Sequence, residues 1–309
     1  MRIIVTGGAG FIGSNIVDAY IEAGHDVAVI DNLSSGKEEN VNPKARLYKL
    51  DVRSSEVELV IAKEKPDVLN HHAAQIDVRR SVDDPVYDAN INVLGMINLL
   101  QSCIKHNVKK VLFASSGGAI YGEPEILPAD ETTKLNPLAP YGASKVAGEY
   151  YLSCYHELHG LGYTALRYGN IYGPRQDPHG EAGVIAIFCQ AMLDGRDVKI
   201  FGTGEQLRDY VYVGDVVRAN VLALETGDNI AVNIGTAAGT SVNELFSRLK
   251  NIIGYDRDAV YCPARQGELD RTYLANTLAK QALGWEPQVD IEQGLTLTAE
   301  FFKNILKVG

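Results

Sequence analysis

Cysteine is scarce in this sequence of 309 residues, and its spacing speaks against a disulfide framework or a paired-cysteine metal site. The four cysteines are far apart and form no Cys-x-x-Cys pair: Cys103, Cys154, Cys189 and Cys262. Isolated thiols of this kind are typical of a reducing compartment. The chain enters its first apolar run without a signal-peptide pattern. We therefore expect a cytoplasmic protein with reduced cysteines and no metal ion.

Positive charge and long apolar runs are also lacking. The 39 acidic residues outnumber the 29 basic ones, which gives a formal net charge of −10. This balance disfavours nucleic acid and anionic membranes as partners, and no apolar run reaches the roughly 18 residues that a membrane span needs. A phosphate-bearing substrate would therefore be held by a few local arginines. The 46% hydrophobic content suffices for one large domain or two unequal ones.

A glycine-rich turn lies between an apolar run, Ile3-Ile4-Val5, and a segment of helical periodicity. Gly7 allows a tight turn, Gly10 lets the backbone approach a pyrophosphate, and Gly13 lets helix and strand pack closely. The first N–H groups of the helix would face a bound phosphate. The same spacing also occurs in turns that bind nothing. The expected dinucleotide contacts here are Gly7, Gly10, Phe11, Ile12 and Gly13.

The second predicted strand, Asp26–Ile30, is followed directly by Asp31, 18 residues after Gly13. An acid at about this distance accepts hydrogen bonds from the adenosine ribose and repels a 2′-phosphate. We therefore expect NAD rather than NADP, with a turn or capping role for Asp31 as the alternative. The polar loop that follows is expected to wrap the ribose through Asn32, Leu33, Ser34, Ser35 and Gly36.

Later strand ends add residues to the same edge of the sheet, where ligands of parallel α/β proteins bind. Asp51 either contacts the adenine or caps the helix that begins at Glu56, and both can hold. His71 and His72 are neighbours on a strand and face opposite ways, so we expect satisfied structural histidines rather than a metal pair. The expected cofactor contacts from these segments are Asp51, Val52, His72, Ala73, Ala74, Gln75, Asn92 and Ser115.

Tyr141 and Lys145 are four residues apart at the start of a predicted helix that runs to about His159, so their side chains share one face. A nearby ammonium group and a positively charged nicotinamide would each favour the phenolate, which would make Tyr141 a usable base. Chance alone supplies about one such pair in a chain of this composition. The weight of the pair comes from its position, one strand and loop beyond Ser115-Ser116.

These features occur in a characteristic order, together with Tyr121-Gly122 and Arg167-Tyr168-Gly169-Asn170. Over nearly its whole length the chain resembles the extended short-chain dehydrogenase/reductase family, most closely the UDP-glucose 4-epimerases. The resemblance implies a Rossmann-type doubly wound parallel sheet with a smaller mixed α/β substrate domain. It places the NAD-binding domain in residues 1–170, with a strand and helix added from about 206–234, and the nucleotide-sugar domain in 171–205 and 235–309. It also implies a homodimer built on the helices near 85–106 and 140–159.

The resemblance further implies a UDP-sugar site. Tyr168 would lie near the nicotinamide, Arg208 and Arg265 would hold the diphosphate, and Glu268 the uridine ribose; for either arginine a surface ion pair is the alternative. Phe201 would flank the uracil or belong to the core. The complete implied substrate set is Ser116, Tyr141, Asn170, Gly183, Val184, Lys199, Ile200, Phe201, Arg208, Tyr210, Arg265 and Glu268.

The implied reaction is epimerisation at C4 of the hexose. The phenolate of Tyr141 removes the proton from the 4-hydroxyl while a hydride passes to NAD, the 4-keto sugar rotates, and the hydride returns to its other face. Lys145 binds the nicotinamide ribose and lowers the pKa of Tyr141. UDP-glucose and UDP-galactose are the implied substrates, and NAD stays bound throughout.

Two positions depart from the family pattern. Gly117 stands where the family has a catalytic Ser or Thr, so Ser116 takes that role, or a water does, or Tyr141 and Lys145 act alone. Thr272 is small near a position where some members carry a large aromatic residue, which suggests that UDP-GlcNAc and UDP-GalNAc are accepted. Gly118-Ala119 replaces the Asp-Glu pair of related 4,6-dehydratases, so dehydration is not expected. The alternatives are a UDP-glucuronate-type 4-epimerase or other nucleotide-sugar epimerase, and a non-catalytic NAD-binding sensor.

Overall fold

The computed structural model describes residues 1–179, 183–264 and 269–308. Strands and helices alternate along most of the chain. The strands are β1 (Arg2–Thr6), β2 (Asp26–Ile30), β3 (Arg46–Tyr48), β4 (Val68–His71), β5 (Lys110–Ser116), β6 (Gly162–Tyr168), β7 (Asn170–Tyr172), β8 (Lys199–Phe201), β9 (Leu207–Arg208), β10 (Tyr210–Tyr212), β11 (Ile230–Ile234), β12 (Thr240–Ser241), β13 (Val260–Cys262) and β14 (Arg271–Thr272). The α-helices are α1 (Phe11–Glu22), α2 (Glu56–Glu64), α3 (Val78–Asp83), α4 (Pro85–Ala89), α5 (Gly95–Lys105), α6 (Gly117–Ile120), α7 (Pro140–His159), α8 (Val184–Leu193), α9 (Val213–Ala223), α10 (Val242–Ile253), α11 (Thr277–Leu283) and α12 (Ile291–Val308).

A seven-stranded parallel sheet forms the centre of the molecule, in the order β3-β2-β1-β4-β5-β6-β11. From β1 the chain adds strands in one direction, and from β4 it adds them in the other. The order therefore reverses between β1 and β4, which is where a doubly wound sheet opens a crevice for its ligand. The predicted Rossmann-type fold is confirmed.

The first strand shows why this sheet is buried on both faces. Ile3 and Val5 pack on one face with residues of α1 and α9, while Ile4 packs on the other with residues of α2 and α5. This alternation follows from the two-residue period of a strand. Because both faces need apolar cover, the strand reads as a continuous hydrophobic run rather than as an alternating one.

The helical stretch after Pro85 differs from the single long helix that its apolar pattern predicts. Residues Asn90–Leu94 form a π-helical turn between α4 and α5. Such turns insert one residue into the helical ladder and occur frequently at functional sites. Here the turn carries Asn92, one of the predicted cofactor contacts.

A smaller part of the molecule has its own core. Two-stranded pairs β10-β7 and β13-β8 and the three-stranded sheet β12-β9-β14 lie here. Helices α8, α10 and α12 contribute Phe188, Leu245 and Leu295 to a separate apolar cluster. Over the described residues, no helix combines the length and the apolar character that crossing a membrane requires.

Candidate active site

The turn between β1 and α1 has the geometry that the sequence predicts for its glycines. Gly7 has a φ of +71°, and a Cβ atom there would lie 2.6 Å from the backbone nitrogen of Ala73. A Cβ atom on Gly13 would lie 2.2 Å from the carbonyl oxygen of Gly7. Helix α1 has no side-chain cap at Gly10, so the N–H groups of its first turn lack an intrahelical partner. Gly7, Gly10 and Gly13 thus form a concave turn, called the glycine cradle below, which side chains at these positions would fill. Its shape and these N–H groups fit a dinucleotide pyrophosphate.

Asp31 lies next to this cradle and is buried. Its carboxylate accepts hydrogen bonds from the backbone N–H groups of Ala9 (3.0 Å) and Leu33 (2.8 Å). Because each carboxylate oxygen has two lone pairs, acceptor positions remain for ribose hydroxyls. The polar loop packs on the cradle, since a Cβ atom on Gly36 would lie 2.9 Å from Cβ of Ala9. The same loop contains Ser35, and the Ser34 N–H donates to Asn32.

Asp51 does not cap the helix that follows, so that alternative is wrong. Its carboxylate accepts from the guanidinium of Arg53 (2.8 Å) and from the side chain of Asn32 (2.9 Å). The hydrogen bond from Arg53 holds the pKa of Asp51 well below its usual range. Ser55 precedes α2 instead. Val52 is buried in the core beneath the sheet, and its carbonyl oxygen accepts from Asn98.

The loop after β4 crosses the glycine cradle. The Thr6 hydroxyl is 2.7 Å from Nδ1 of His71 and accepts the Ala73 N–H at 3.2 Å. Nε2 of His72 is 3.0 Å from the Tyr168 hydroxyl, while Nδ1 of His72 is buried without a hydrogen-bond partner. The expectation of two satisfied histidines is therefore wrong for His72. Burial, assisted by the charge of Lys145, lowers the pKa of both rings to about 3, so both are neutral.

The segment just beyond this crossing, which contains Ala74, is tied down by two amides. Gln75 donates its N–H to Oδ1 of Asn92 (2.9 Å), and Asn92 donates its Nδ2 to the carbonyl oxygen of Gln75 (2.9 Å). This reciprocal pair links the β4 loop to the π-helical turn. Asn92 thus steadies the loop on the cofactor side of the sheet.

Tyr141, Lys145 and Ser116 come together at the carboxyl end of β5. Helix α7 begins with Pro140, and the Tyr141 N–H donates to the Ser81 hydroxyl (3.1 Å). Nζ of Lys145 donates to the carbonyl oxygen of Ala114 (2.8 Å) and lies 5.7 Å from the centre of the Tyr141 ring. The Ser116 side chain hydrogen-bonds to the Tyr141 side chain. This contact is what the first of the three readings of Gly117, with Ser116 in the catalytic role, requires, and that role stays a prediction.

The protein's own groups do not lower the pKa of the tyrosine, which corrects the expectation for the Tyr–Lys pair. Burial raises the pKa of Tyr141 to about 12, although the hydrogen bond from Ser116 opposes this, and the charge of Asp88 raises it further. Burial lowers the pKa of Lys145 to about 8, against the attraction of Asp88 and Glu149. Desolvation is the largest cause of the shift for both groups.

Ser115 and Ser116 face opposite sides of β5, as neighbours on a strand must. The Ser115 hydroxyl donates to Glu149 (2.5 Å), whose carboxylate is paired with Arg167 (2.7 Å). Ser115 therefore directs its side chain into this buried network. Gly117 packs under Leu274, where an added Cβ atom would lie 2.4 Å from Cδ1 of the leucine. A hydroxyl-bearing side chain at position 117 has no room.

The predicted substrate residues are placed unequally. The Asn170 side chain points toward Gly118, where an added Cβ atom would be 3.6 Å from its Oδ1. Arg208 donates to the carbonyl oxygens of Leu207 (2.9 Å) and Leu269 (2.6 Å), which fix its guanidinium. Gly183 precedes α8, and Val184 is its first residue. On β8, Lys199 is exposed and Phe201 is half-buried. Ile200 and Tyr210 belong to the core of the smaller part. Arg265 and Glu268 lie outside the described residues.

Three buried carboxylates in this region were not predicted as functional. Glu149 lies four residues beyond Lys145, so it continues the face of α7 that carries Tyr141. Asp88 lies four residues before Asn92 in the same helical stretch. Asp209 accepts hydrogen bonds from Thr236 (2.8 Å) and Leu274 (2.9 Å) and thereby joins the exits of β11 and β14. The i, i+4 spacing was the available signal for the first two.

Comparison with known proteins agrees with this geometry. The profile of the NAD dependent epimerase/dehydratase family matches residues 3–235. The chain belongs to this family. A relative from Methanocaldococcus jannaschii, described as a putative UDP-glucose 4-epimerase, is 51% identical over 98% of both chains. The family assignment confirms the resemblance and the expectation of NAD as cofactor.

Solved structures of family members extend the match to the whole fold. The UDP-glucose 4-epimerase of Thermotoga maritima, solved with UDP-glucose, superposes with a TM-score of 0.98 at 52% identity and covers 99% of this chain and 100% of its own. The UDP-glucose 4-epimerase of Thermus thermophilus, solved with NAD, superposes with a TM-score of 0.94 at 45% identity and covers 98% of this chain and 99% of its own.

Proposed function

We propose that this chain is an epimerase that interconverts UDP-glucose and UDP-galactose by transient oxidation at C4 of the hexose, with NAD held as a bound cofactor. The observation that most strongly supports this function is the contact of Ser116, Tyr141 and Lys145 beside the glycine cradle. A base, a hydroxyl relay and a fixed cation at the switch point of a Rossmann sheet are what alcohol oxidation by a nicotinamide needs. The UDP-glucose 4-epimerase relatives support the substrate class.

The residues that would hold NAD are those that form the cradle and its surroundings. Gly7, Gly10 and Gly13 admit the pyrophosphate, Asp31 binds the adenosine ribose, and Lys145 reaches the nicotinamide ribose. When bound, NAD supplies the hydride acceptor and a positive charge next to the phenol. Because the pKa of Tyr141 is raised to about 12, chiefly by burial, that added cation is needed before Tyr141 can act as a base near neutral pH.

The side chains then have separate tasks. Ser116 receives the proton of the substrate 4-hydroxyl and passes its own to Tyr141, and the same path runs backwards when the keto sugar is reduced. Lys145 stays protonated and stabilises the phenolate. Arg208, which two carbonyl oxygens hold in place, binds the diphosphate as a bidentate donor. Asn170 lies between the two ends of the substrate.

The direct test is incubation of the purified holoenzyme with UDP-galactose, followed by chromatographic measurement of UDP-glucose. We expect conversion until the two sugars reach equilibrium, with no net production of NADH. A protein that binds NAD and a UDP-sugar but forms no epimer would be the non-catalytic sensor instead. Turnover of UDP-glucuronate in preference to both hexoses would support the uronate alternative.

A second activity, on UDP-GlcNAc and UDP-GalNAc, is favoured by Thr272. This small side chain is 2% exposed, and its hydroxyl is buried without a hydrogen-bond partner. The carbonyl oxygen of an N-acetyl group on the substrate can accept a hydrogen bond from such a hydroxyl. Thr272→Tyr should abolish turnover of the N-acetyl sugars while turnover of UDP-galactose continues. No wild-type activity on UDP-GlcNAc would refute this extension.

We also propose a homodimer formed through α4, α5 and α7. Large apolar side chains are exposed along this face, among them Val86 (69%), Leu94 (55%), Tyr150 (64%) and Leu158 (73%). An apolar patch of this kind marks an interaction surface. Leu158→Glu should shift the sedimentation of the wild-type dimer to that of a monomer. A wild-type monomer at micromolar concentration would contradict the assignment.

The remaining proposals concern organisation and cell biology. The division into an NAD-binding domain (1–170 with a strand and helix from about 206–234) and a nucleotide-sugar domain (171–205 and 235–309) is supported by β11 pairing with β6 and by the separate apolar cluster of the smaller part. Tyr210 and Tyr212, which lie within 206–234, pack in that separate cluster instead. A role in galactose metabolism follows from the proposed reaction. A cytoplasmic location is supported by free cysteines at all four cysteine positions.

A further inference from the structure

A buried carboxylate next to the proposed catalytic pair has no part in the reaction as described so far. Asp88 in α4 has an exposed fraction of 0%. Oδ1 accepts from Nε2 of Gln75 (3.0 Å) and from Nδ2 of Asn92 (2.9 Å), and Oδ2 accepts from the Ser144 hydroxyl (2.6 Å). A fully enclosed carboxylate with these partners needs an explanation, because burying a charge is costly unless it is compensated.

The three donors come from three different parts of the site. Gln75 belongs to the loop that crosses the glycine cradle, Asn92 to the π-helical turn, and Ser144 to α7, directly before Lys145. Asp88 is therefore the point where these segments meet. A shift of α7 relative to the cofactor loop would break at least one of its hydrogen bonds.

The charge of Asp88 acts on the proposed catalytic pair. It raises the pKa values of Tyr141 and Lys145. The other carboxylate that favours the ammonium form of Lys145 is Glu149, but its charge is shared with Arg167 at 2.7 Å. The donors to Asp88 are two amides and a hydroxyl, which carry no compensating charge.

We propose that Asp88 is a positioning residue for the epimerisation: its hydrogen bonds with Gln75, Asn92 and Ser144 fix α7 against the cofactor loop and hold its negative charge near Lys145 and Tyr141. This assignment rests on the proposed function, since it gives Asp88 a role toward the base of that reaction. The other groups around Lys145 and Tyr141 are the neutral rings of His71 and His72, the Glu149–Arg167 pair, and Ser116.

The decisive variant is Asp88→Asn, which removes the charge and keeps the shape. The Asn carbonyl can accept from Gln75 and Asn92, and its amino group can donate to Ser144, because a hydroxyl accepts as readily as it donates. The matched control is Ser144→Ala, which removes one hydrogen bond to α7 and leaves the carboxylate in place. Thermal unfolding of both variants records any loss of stability.

Two readouts separate charge from structure. The first is the pKa of Lys145 in the protein without NAD, followed by the NMR shift of lysine labelled with ¹³C at Cε and assigned with Lys145→Met. Asp88→Asn should lower this pKa by about one unit, and Ser144→Ala should leave it unchanged. The second is the pH profile of kcat/KM of the holoenzyme, which should move to lower pH in Asp88→Asn. In Ser144→Ala, kcat should fall about tenfold without a shift of the profile.

The outcomes decide the proposal. An unchanged pKa of Lys145 in Asp88→Asn, or an equal shift in Ser144→Ala, overturns the charge assignment. An Asp88→Asn chain that does not fold also overturns it, because the carboxylate would then be a structural requirement. If the wild-type protein does not epimerise UDP-galactose, the proposed function fails, while the lysine titration still decides whether Asp88 holds Lys145 in its charged form.

Discussion

Removing the guanidinium of Arg167 should destabilise the protein strongly. Arg167 and Glu149 are 6% and 8% exposed, and the guanidinium donates to both carboxylate oxygens through Nε (3.0 Å) and Nη2 (2.7 Å). Its Nη1 donates to the Tyr121 hydroxyl (2.7 Å). In Arg167→Met the aliphatic volume is kept, but Glu149 is left with the Ser115 hydroxyl as its remaining described donor.

The magnitude follows from burial. Removing one partner of a buried ion pair costs about 3–5 kcal/mol, because the other charge stays enclosed without compensation. Arg167→Met should therefore lower the unfolding free energy by about this amount.

Urea unfolding at pH 8 measures this loss of unfolding free energy, and Arg248→Met is the matched control. Arg248 pairs with Glu244 and Glu292, both at 2.8 Å, on the surface. Exposed pairs of this kind contribute about 0–1 kcal/mol. The reasoning is refuted if Arg167→Met loses no more stability than Arg248→Met.

Three further predictions concern the site. Tyr141→Phe should lower turnover of UDP-galactose by orders of magnitude while NAD remains bound, and unchanged turnover would remove Tyr141 from the role of base. Gly117→Ala should lose about 1–3 kcal/mol of unfolding free energy, because its Cβ would approach Leu274 to 2.4 Å. The same substitution made in a Leu274→Ala background should cost less, and an equal cost in both backgrounds would show that the leucine is not the obstacle. Burial raises the pKa of Asp209 to about 6, which is above the value in the unfolded chain. The contribution of Asp209 to the free energy of unfolding should therefore fall as pH rises from about 4 through 6. A carboxyl NMR titration, assigned with Asp209→Asn, measures this pKa, and a value below 4 would contradict the prediction.

Local spacing explains why part of this site could be predicted from the sequence. The glycine turn and the Tyr141–Lys145 pair each depend on residues within one turn or on one helix face. For such residues, the spacing in the sequence determines the local geometry. The acid after β2 was predictable because strand β2 pairs directly with β1. The doubly wound parallel sheet was implied by the family resemblance, and the alternation of apolar strands and helices agrees with it.

What the sequence could not indicate depends on partners that are distant along the chain. Asp209 meets Leu274 across 65 residues, and Asp88 meets Ser144 across 56. The pKa of Tyr141 depends on how completely the side chain is enclosed, which a four-residue spacing does not report. Asp51 was compatible with a cap on local grounds, but Arg53 and Asn32 occupy its carboxylate.

The most direct measurement is the fate of the hydrogen at C4 during epimerisation. The holoenzyme is incubated with UDP-galactose that carries deuterium at C4 in ordinary water, and the UDP-glucose formed is analysed by mass spectrometry and NMR. The account predicts that the product keeps its deuterium at C4, because the atom leaves as a hydride to bound NAD and returns to the same carbon. Loss of the deuterium to solvent, or the absence of UDP-glucose, would contradict the account.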